Sequence, residues 1–192
     1  MVKHIYSVPN LLSLLRLVLV PVLVVVAFFG QVNLFLILLG ISLLSDLLDG
    51  YFARKLNQVT DLGARLDSFA DLATYAIMIV GLYLVWPQIF IQQKPFLFAA
   101  MLSYMLPQIL AFIRFGSLPS YHTWGAKLAA VFIAPAYYLL IITGNQLFFR
   151  GVILFHIFVA IEEVAITIIL KQAKTNVGSI VSLLGSKKNK LQ

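Results

Sequence analysis

SDLLDGYFARKLNQVTDLGARLDSFAD, residues 45–71, holds five of the seven acidic residues of the chain. The sequence on both sides of this stretch is almost uninterrupted Leu, Ile, Val, Ala and Phe. Hydrophobic residues make up 61% of the 192 residues and charged residues 11%, with a mean hydropathy of +0.99. Soluble domains are about half apolar and about a quarter charged. The composition therefore indicates an integral membrane protein, and its clustered negative charge needs an explanation of its own.

Apolar runs of membrane-crossing length recur along the chain. A helix needs about 17–25 mostly apolar residues to cross the hydrocarbon. The runs predict six spans, with a basic tail at 172–192: approximately 11–29, 32–54, 67–86, 95–115, 124–143 and 148–171. The first run is too long for a signal peptide, so we expect it to be a retained span. We predict an all-α integral membrane protein in which residues 1–192 form one membrane-embedded domain, a bundle of six transmembrane helices.

The distribution of Lys and Arg predicts the orientation of these spans. If the N-terminus is cytoplasmic, twelve of the fourteen basic residues lie on or beside the cytoplasmic side, and only Lys94 and Arg150 lie on the other. Basic residues favour cytoplasmic loops. We therefore expect both termini in the cytoplasm, in a bacterial inner or plasma membrane. Topology and attraction of the basic tail to anionic lipid explain the net charge of +7 without nucleic acid.

Four of the clustered carboxylates are predicted to converge. Asp46 and Asp49 share one helix face at the end of the second span, and Asp67 and Asp71 share one at the start of the third. If these spans pack side by side, the four meet at the cytoplasmic interface, where like charges repel strongly. Two divalent cations would balance them. Because neither His nor Cys is among the ligands, Mg²⁺, Mn²⁺ or Ca²⁺ fits better than Zn²⁺. The alternative is that these are solvated loop charges; for Asp61 we expect such a role, capping or solvating the turn before Gly63.

The residues around the carboxylates favour phosphoryl chemistry. A pair of metal ions beside Arg54 can stabilise a diphosphate and its transition state. Gly50 and Gly63 would let a nucleotide approach the backbone closely. A cation transporter with an intramembrane acidic site is the main alternative, but it does not account for these glycines or for Arg54, and its acids should lie near the midplane.

A sequence signature extends across this region. Asp46-x-x-Asp49-Gly50-x-x-Ala53-Arg54, eight residues, then Gly63-x-x-x-Asp67-x-x-x-Asp71 resembles the signature of the CDP-alcohol phosphotransferase family. The opening VPNLLSLLR, residues 8–16, is similar to that of phosphatidylglycerophosphate synthases and eukaryotic-type cardiolipin synthases. The resemblance implies that a phosphatidyl group passes from CDP-diacylglycerol to an alcohol acceptor and that CMP leaves. It also implies two divalent ions, Mg²⁺ or Mn²⁺, and allows a homodimer, since this family commonly dimerises.

Residue roles follow from the same resemblance. Asp71 is implied to be the general base as well as a metal ligand. The implied metal ligands are Asp46, Asp49, Asp67 and Asp71. The implied CDP-binding or substrate-binding residues are Gly50, Ala53, Arg54 and Gly63, with Gly63 shaping the start of the second helix.

The acceptor is less well determined than the reaction. Many phosphatidylglycerophosphate synthases read Leu-Asp-Pro-x-Ala-Asp-Lys where this chain has LDSFADL, residues 66–72, which is closer to the serine- and inositol-type branches. Arg114 and Lys127 are two cations that could hold a phosphate, which favours glycerol 3-phosphate; they could equally be anchors that extend to the interface. Serine, inositol phosphate and phosphatidylglycerol stay as alternative acceptors. The roles of three further charged residues are left open, with anchoring favoured for the first: Arg16, Glu162 and Glu163.

Overall fold

The computed structural model describes residues 7–56, 58, 60–116, 121, 123–170, 172–173 and 177–183; within helices it leaves the side chains of five residues undescribed, at 54, 61, 62, 64 and 65. The described part contains six α-helices and no β-strand. Every one of the six is long and apolar enough to cross a membrane. The helices are α1 (Val8–Phe28), α2 (Val32–Lys55), α3 (Asp61–Val85), α4 (Pro87–Phe115), α5 (Trp124–Thr143) and α6 (Gln146–Ile169). The predicted all-α class is confirmed, whereas the orientation of the termini stays a prediction.

Two helices, α3 and α4, begin more than one turn before the predicted spans. The α4 helix begins at Pro87 instead of residue 95, because proline is well suited to the first position of a helix, where its missing N–H is not needed. The α3 helix begins at Asp61, since the side chain of Thr60 accepts a hydrogen bond of 3.0 Å from the backbone N–H of Gly63. The predicted cap at Asp61 was wrong: the cap is Thr60, and Asp61 is the first helical residue. Solvation of the turn by Asp61 stays a prediction, because that side chain is outside the described part.

The chain divides into two compact units, residues 1–92 and residues 93–192. In the first unit, α1 packs against both α2 and α3, and the contact between α2 and α3 is the smaller one. Phe35 of α2 is fully buried and fits against Gly81 of α3, where an added Cβ would lie 2.2 Å from the Phe35 ring. The Phe35 ring also meets Trp86 edge to face, with 6.1 Å between centroids. These contacts fix how α2 and the end of α3 lie beside each other.

In the second unit, α5 packs against α6. Gly125 makes the close approach possible, because a Cβ there would lie 2.8 Å from a methyl group of Val159. The segment 177–183 packs on α6 through Val177 and Leu183, which contact Ile166. Glu162 accepts a 3.0 Å hydrogen bond from the backbone N–H of Ile180. Glu162 therefore anchors this segment to α6.

Candidate active site

The ends of two helices carry the four signature carboxylates. Asp46 and Asp49 lie in the last turns of α2, and Asp67 and Asp71 lie in the first turns of α3. Asp49 is the most enclosed, with 6% of its side chain exposed. The side chains of Asp46 and Asp67 are each 41% exposed, and that of Asp71 is 31% exposed. One carboxylate is thus buried at the bottom of the cluster, and three are open to an incoming ligand.

A single guanidinium group from α1 joins all four carboxylates. Nη1 of Arg16 donates to Oδ1 of Asp46 and Oδ1 of Asp71, each at 2.6 Å. Nη2 donates to Oδ2 of Asp49 at 2.6 Å and also to Oδ1 of Asp67. The Arg16 side chain is only 1% exposed. The predicted convergence of the four carboxylates is confirmed, and within the described residues the positive charge among them comes from Arg16.

The position of Arg16 overturns the favoured prediction that it is an interfacial anchor. An anchoring arginine extends its charged end into water, whereas this guanidinium is buried and saturated by carboxylates. The reason lies in the packing of α1, which contacts both α2 and α3 and so turns one face toward the cluster. An intramembrane arginine with a defined partner is a functional candidate. Its partners here are the four signature aspartates.

The N-terminal part of α1 and its cap carry four buried polar residues. Ser7, Asn10 and Ser13 precede Arg16 at intervals of three residues, and all four are at most 6% exposed. The hydroxyl of Ser13 donates a 2.9 Å hydrogen bond to Oδ2 of Asp49. Sequence analysis missed Ser13 and Asn10 as site residues. The signal that could have found them is the recurrence of polar residues every third position in a run that is otherwise apolar.

Gly63 of α3 lies against Asn10 of α1. A Cβ at residue 63 would lie 2.7 Å from Oδ1 of Asn10 and 3.0 Å from Oγ1 of Thr60. A side chain would therefore displace Asn10 or the cap of α3. Gly50 and Ala53 follow Asp49 on α2 and are half-buried. Arg54 lies in α2 as well, but its side chain is outside the described part.

The donor set fits a divalent metal ion. Asp46, Asp49 and Asp67 each offer one oxygen, and these three oxygens lie within 4.8 Å of one another. Carboxylate oxygens are the ligands that Mg²⁺ and Mn²⁺ favour. The guanidinium shows that the cluster accommodates a cation, yet four carboxylates and one guanidinium, −4 + 1, still leave a formal charge of −3. Asp71 is not a member of this group of three.

The predicted acceptor residues are engaged in local contacts within the second unit. The guanidinium of Arg114 donates to the backbone oxygens of Ile168 and Leu170, at 3.0 and 3.2 Å. The ammonium of Lys127 lies 4.8 Å from the centre of the Trp124 ring, one turn earlier on α5. These contacts tie α4 to the end of α6 and hold Lys127 near the start of its helix. Phosphate binding by either residue stays a prediction.

Comparison with known proteins identifies the family. The family model for CDP-alcohol phosphatidyltransferase matches residues 6–172. The chain belongs to the CDP-alcohol phosphatidyltransferase family. Members of this family are transferases of phospholipid biosynthesis that use a divalent metal, CDP-diacylglycerol and an alcohol acceptor. The resemblance inferred from the signature is confirmed.

Several curated relatives share part of the chain. A CDP-diacylglycerol–glycerol-3-phosphate 3-phosphatidyltransferase of Aquifex aeolicus is 48% identical over 65 residues, 34% of this chain and 36% of the relative. A protein of the same name from Wigglesworthia glossinidia brevipalpis is 38% identical over 82 residues, 41% and 43% of the two chains. A cardiolipin synthase (CMP-forming) of Rattus norvegicus is 38% identical over 78 residues, 40% and 26% of the two. The chain thus spans less than half the length of these relatives, and no solved structure matches it.

Proposed function

We propose that this chain transfers the phosphatidyl group of CDP-diacylglycerol to an alcohol acceptor and releases CMP. The observation that supports the proposal most strongly is the meeting of all four signature carboxylates at one point, with one oxygen of each bonded to the same guanidinium. An enzyme that acts on a diphosphate needs such a concentration of metal ligands. A solvated acidic loop would leave the carboxylates apart.

Asp46, Asp49, Asp67 and Asp71 are proposed as the ligands of two divalent ions, Mg²⁺ or Mn²⁺. When bound, such ions neutralise the diphosphate and stabilise the CMP that leaves. The grouping of three ligand oxygens within 4.8 Å supports this assignment. Ser13 contributes by holding Asp49, because its hydroxyl fixes one carboxylate oxygen at 2.9 Å. These contacts keep the most buried ligand in place before substrate arrives.

Asp71 is proposed as the general base. The acceptor hydroxyl loses its proton to the Asp71 carboxylate as its oxygen forms a bond to the β-phosphorus, and the bond from that phosphorus to the CMP oxygen breaks with its electron pair leaving on CMP. A base must reach the hydroxyl at hydrogen-bond distance. Asp71 stands outside the group of three and is 31% exposed, so an incoming acceptor can reach it.

The nucleotide is proposed to bind beside Gly50, Ala53, Arg54 and Gly63. Support comes from Gly50 and Ala53, which follow Asp49 on α2 and are only half-buried. The cluster is expected at the membrane interface, where a lipid diphosphate and a soluble acceptor can meet.

We further propose that the cluster faces the cytoplasm of a bacterial cell and that both termini lie on that side. The chain is proposed to work as a single domain that is able to form a homodimer.

Glycerol 3-phosphate is the proposed acceptor, with Arg114 and Lys127 as the tentative phosphate site. Two relatives carry this acceptor in their names. A relative named cardiolipin synthase keeps phosphatidylglycerol as an alternative acceptor. Serine and inositol phosphate stay alternatives because of the LDSFADL sequence at residues 66–72.

The test is release of CMP from CDP-diacylglycerol by the purified protein in detergent micelles with Mg²⁺. The acceptors compared are glycerol 3-phosphate, serine, inositol phosphate and phosphatidylglycerol. We expect CMP release that depends on glycerol 3-phosphate and forms phosphatidylglycerophosphate. Release with another acceptor alone would correct the acceptor, and no release with any of them would refute the proposed activity.

A further inference from the structure

We propose that Arg16 is the resident counter-cation of the carboxylate cluster and that divalent cations must displace it to bind. This inference rests on the proposed metal site. The guanidinium bonds all four carboxylates and so holds them together. When a metal binds, the terminal nitrogens leave these oxygens. Arg16 is thus a positioning residue that competes with the metal for its ligands.

Through its hydrogen bonds, Arg16 connects α2 to α3. Each terminal nitrogen bridges one aspartate of α2 and one of α3: Nη1 joins Asp46 to Asp71, and Nη2 joins Asp49 to Asp67. Because α2 and α3 have only a small direct contact, this bridge supplies much of what holds their carboxylate ends together. Without a cation at this point, the four negative charges would drive the ends apart.

The same three carboxylates serve both cations in this proposal. Every carboxylate in the group of three metal-ligand candidates already gives one oxygen to Arg16. The nitrogen-to-oxygen distance is 2.6 Å for Asp46 and Asp49, whereas Mg²⁺ lies about 2.0–2.1 Å from its ligand oxygens. A metal ion bound by the oxygens that Arg16 now holds would lie almost where the guanidinium nitrogens are. The two cations cannot occupy that point together.

The third nitrogen of the guanidinium, Nε, does not oppose the movement of Arg16 away from the carboxylates. Nε is buried and has no hydrogen-bond partner among the residues that the structure describes. The guanidinium is therefore held by the carboxylates alone, and breaking those bonds frees the whole group. Once two divalent ions balance the four negative charges, electrostatic attraction no longer retains a fifth positive charge between the carboxylates.

If Arg16 competes with the metal, removing its charge should lower the stability of the protein and raise its affinity for the metal. Arg16→Met keeps the length and apolar stem of the side chain but removes its charge. The metal-free variant should unfold at a lower temperature, because buried carboxylates lose their only described cation. The same variant should bind metal more tightly, because nothing has to be displaced. A residue that merely orients the ligands would weaken metal binding when removed.

The experiment measures Mn²⁺ binding to metal-stripped protein in detergent, with free Mn²⁺ quantified by electron paramagnetic resonance. The proteins compared are wild type, Arg16→Met, Arg16→Lys and the control Arg150→Met. The control also removes one positive charge, but from a guanidinium that bonds Gln93 and Gln146. We expect Arg16→Met to lower the half-saturating Mn²⁺ concentration about tenfold or more, as removal of a competing bound cation implies, and the control to leave it unchanged. Thermal unfolding is measured with and without Mn²⁺.

Arg16→Lys keeps a cation in the cluster and decides the matter if Arg16→Met is not recovered folded. A lysine ammonium is a point charge without the planar fork of arginine, so it should clamp fewer carboxylates and bind Mn²⁺ more tightly than wild type by a smaller factor. Recovery of folded Arg16→Met only in the presence of Mn²⁺ would also support the proposal. Unchanged or weaker Mn²⁺ binding in the folded Arg16 variants would overturn it. If the wild-type protein binds no Mn²⁺, the proposed metal site itself is refuted. That result differs from one in which wild type binds Mn²⁺ but the Arg16 variants do not bind it more tightly, which refutes only the competition.

Discussion

The substitution Asp71→Asn tests the proposed role of Asp71 as general base while leaving the rest of the carboxylate cluster unchanged. Asn has nearly the same shape, and its amide oxygen can still accept the hydrogen bond that Nη1 of Arg16 now gives to Oδ1 of Asp71 at 2.6 Å. The variant should therefore fold with the cluster intact. What it loses is the ability to take a proton from the acceptor hydroxyl, so the defect should appear in kcat.

The structure sets the size of the two effects. A hydrogen bond to a charged group contributes about 1.5–3 kcal/mol and a neutral one about 0.5–1.5 kcal/mol. Because the Asp71 side chain is 31% exposed, solvent screening should keep the loss of folding stability near the small end of that difference, about 1 kcal/mol. Loss of a positioned base lowers kcat by about 10²–10⁴. CDP-diacylglycerol should bind nearly as tightly as to wild type, because the Asn side chain keeps the size of Asp and one metal-binding oxygen.

The assay is initial-rate CMP release at saturating acceptor, paired with Mn²⁺ binding and thermal unfolding of the same preparation. Asp49→Asn is the matched control. It makes the same chemical change at a buried carboxylate that bonds both Ser13 and Arg16, so it should weaken metal binding as well as activity. Near-normal turnover by Asp71→Asn would remove the residue from the base role. Loss of CDP-lipid binding outright would make it chiefly a metal ligand.

The remaining predictions concern the metal, the acceptor and a close contact. Chelation with excess EDTA should abolish CMP release and added Mg²⁺ or Mn²⁺ should restore it; full turnover after verified metal removal would contradict the two-metal site. Arg114→Ala and Lys127→Ala should each raise the KM for glycerol 3-phosphate about 10-fold or more, as loss of a charged hydrogen bond implies, with little effect on that for CDP-diacylglycerol; equal effects on both would speak against a phosphate site. Gly63→Ala should lower stability by about 1–3 kcal/mol through overpacking against Asn10, since its Cβ would lie 2.7 Å from that side chain; an unchanged unfolding temperature would show that Asn10 moves freely.

Much of the fold follows from composition and spacing. The membrane class and the number of helices in the described part follow from the apolar runs, because the bilayer fixes the length of a helix. Helix starts were harder to predict. Residues 87–94 contain three Gln and a Lys, and their polarity obscured a helix that Pro87 begins. The start of α3 depends on Thr60, and the interpretation of Asp61 as the cap placed the hydrogen bond one residue too late.

The site was only partly predictable for a different reason. The spacing of the carboxylates places each pair on one helix face, and opposite helix directions bring the pairs together, so the convergence could be predicted. Nothing in the spacing says which helix covers the cluster. The answer, α1, depends on tertiary packing of α1 against both α2 and α3. For this reason Arg16 was interpreted as an anchor, although its 1% exposure and four aspartate partners make it the centre of the cluster.

The central claim is that the carboxylate cluster performs transfer from a CDP-linked lipid. Its most direct test follows CMP and lipid product together, with CDP-diacylglycerol, glycerol 3-phosphate and Mg²⁺, for wild type and for Asp46→Asn, Asp49→Asn, Asp67→Asn and Asp71→Asn. The account predicts equal amounts of CMP and phosphatidylglycerophosphate from wild type, and a loss of at least about 10²-fold in each folded variant. CMP formation that continues at the wild-type rate in all four variants would contradict it.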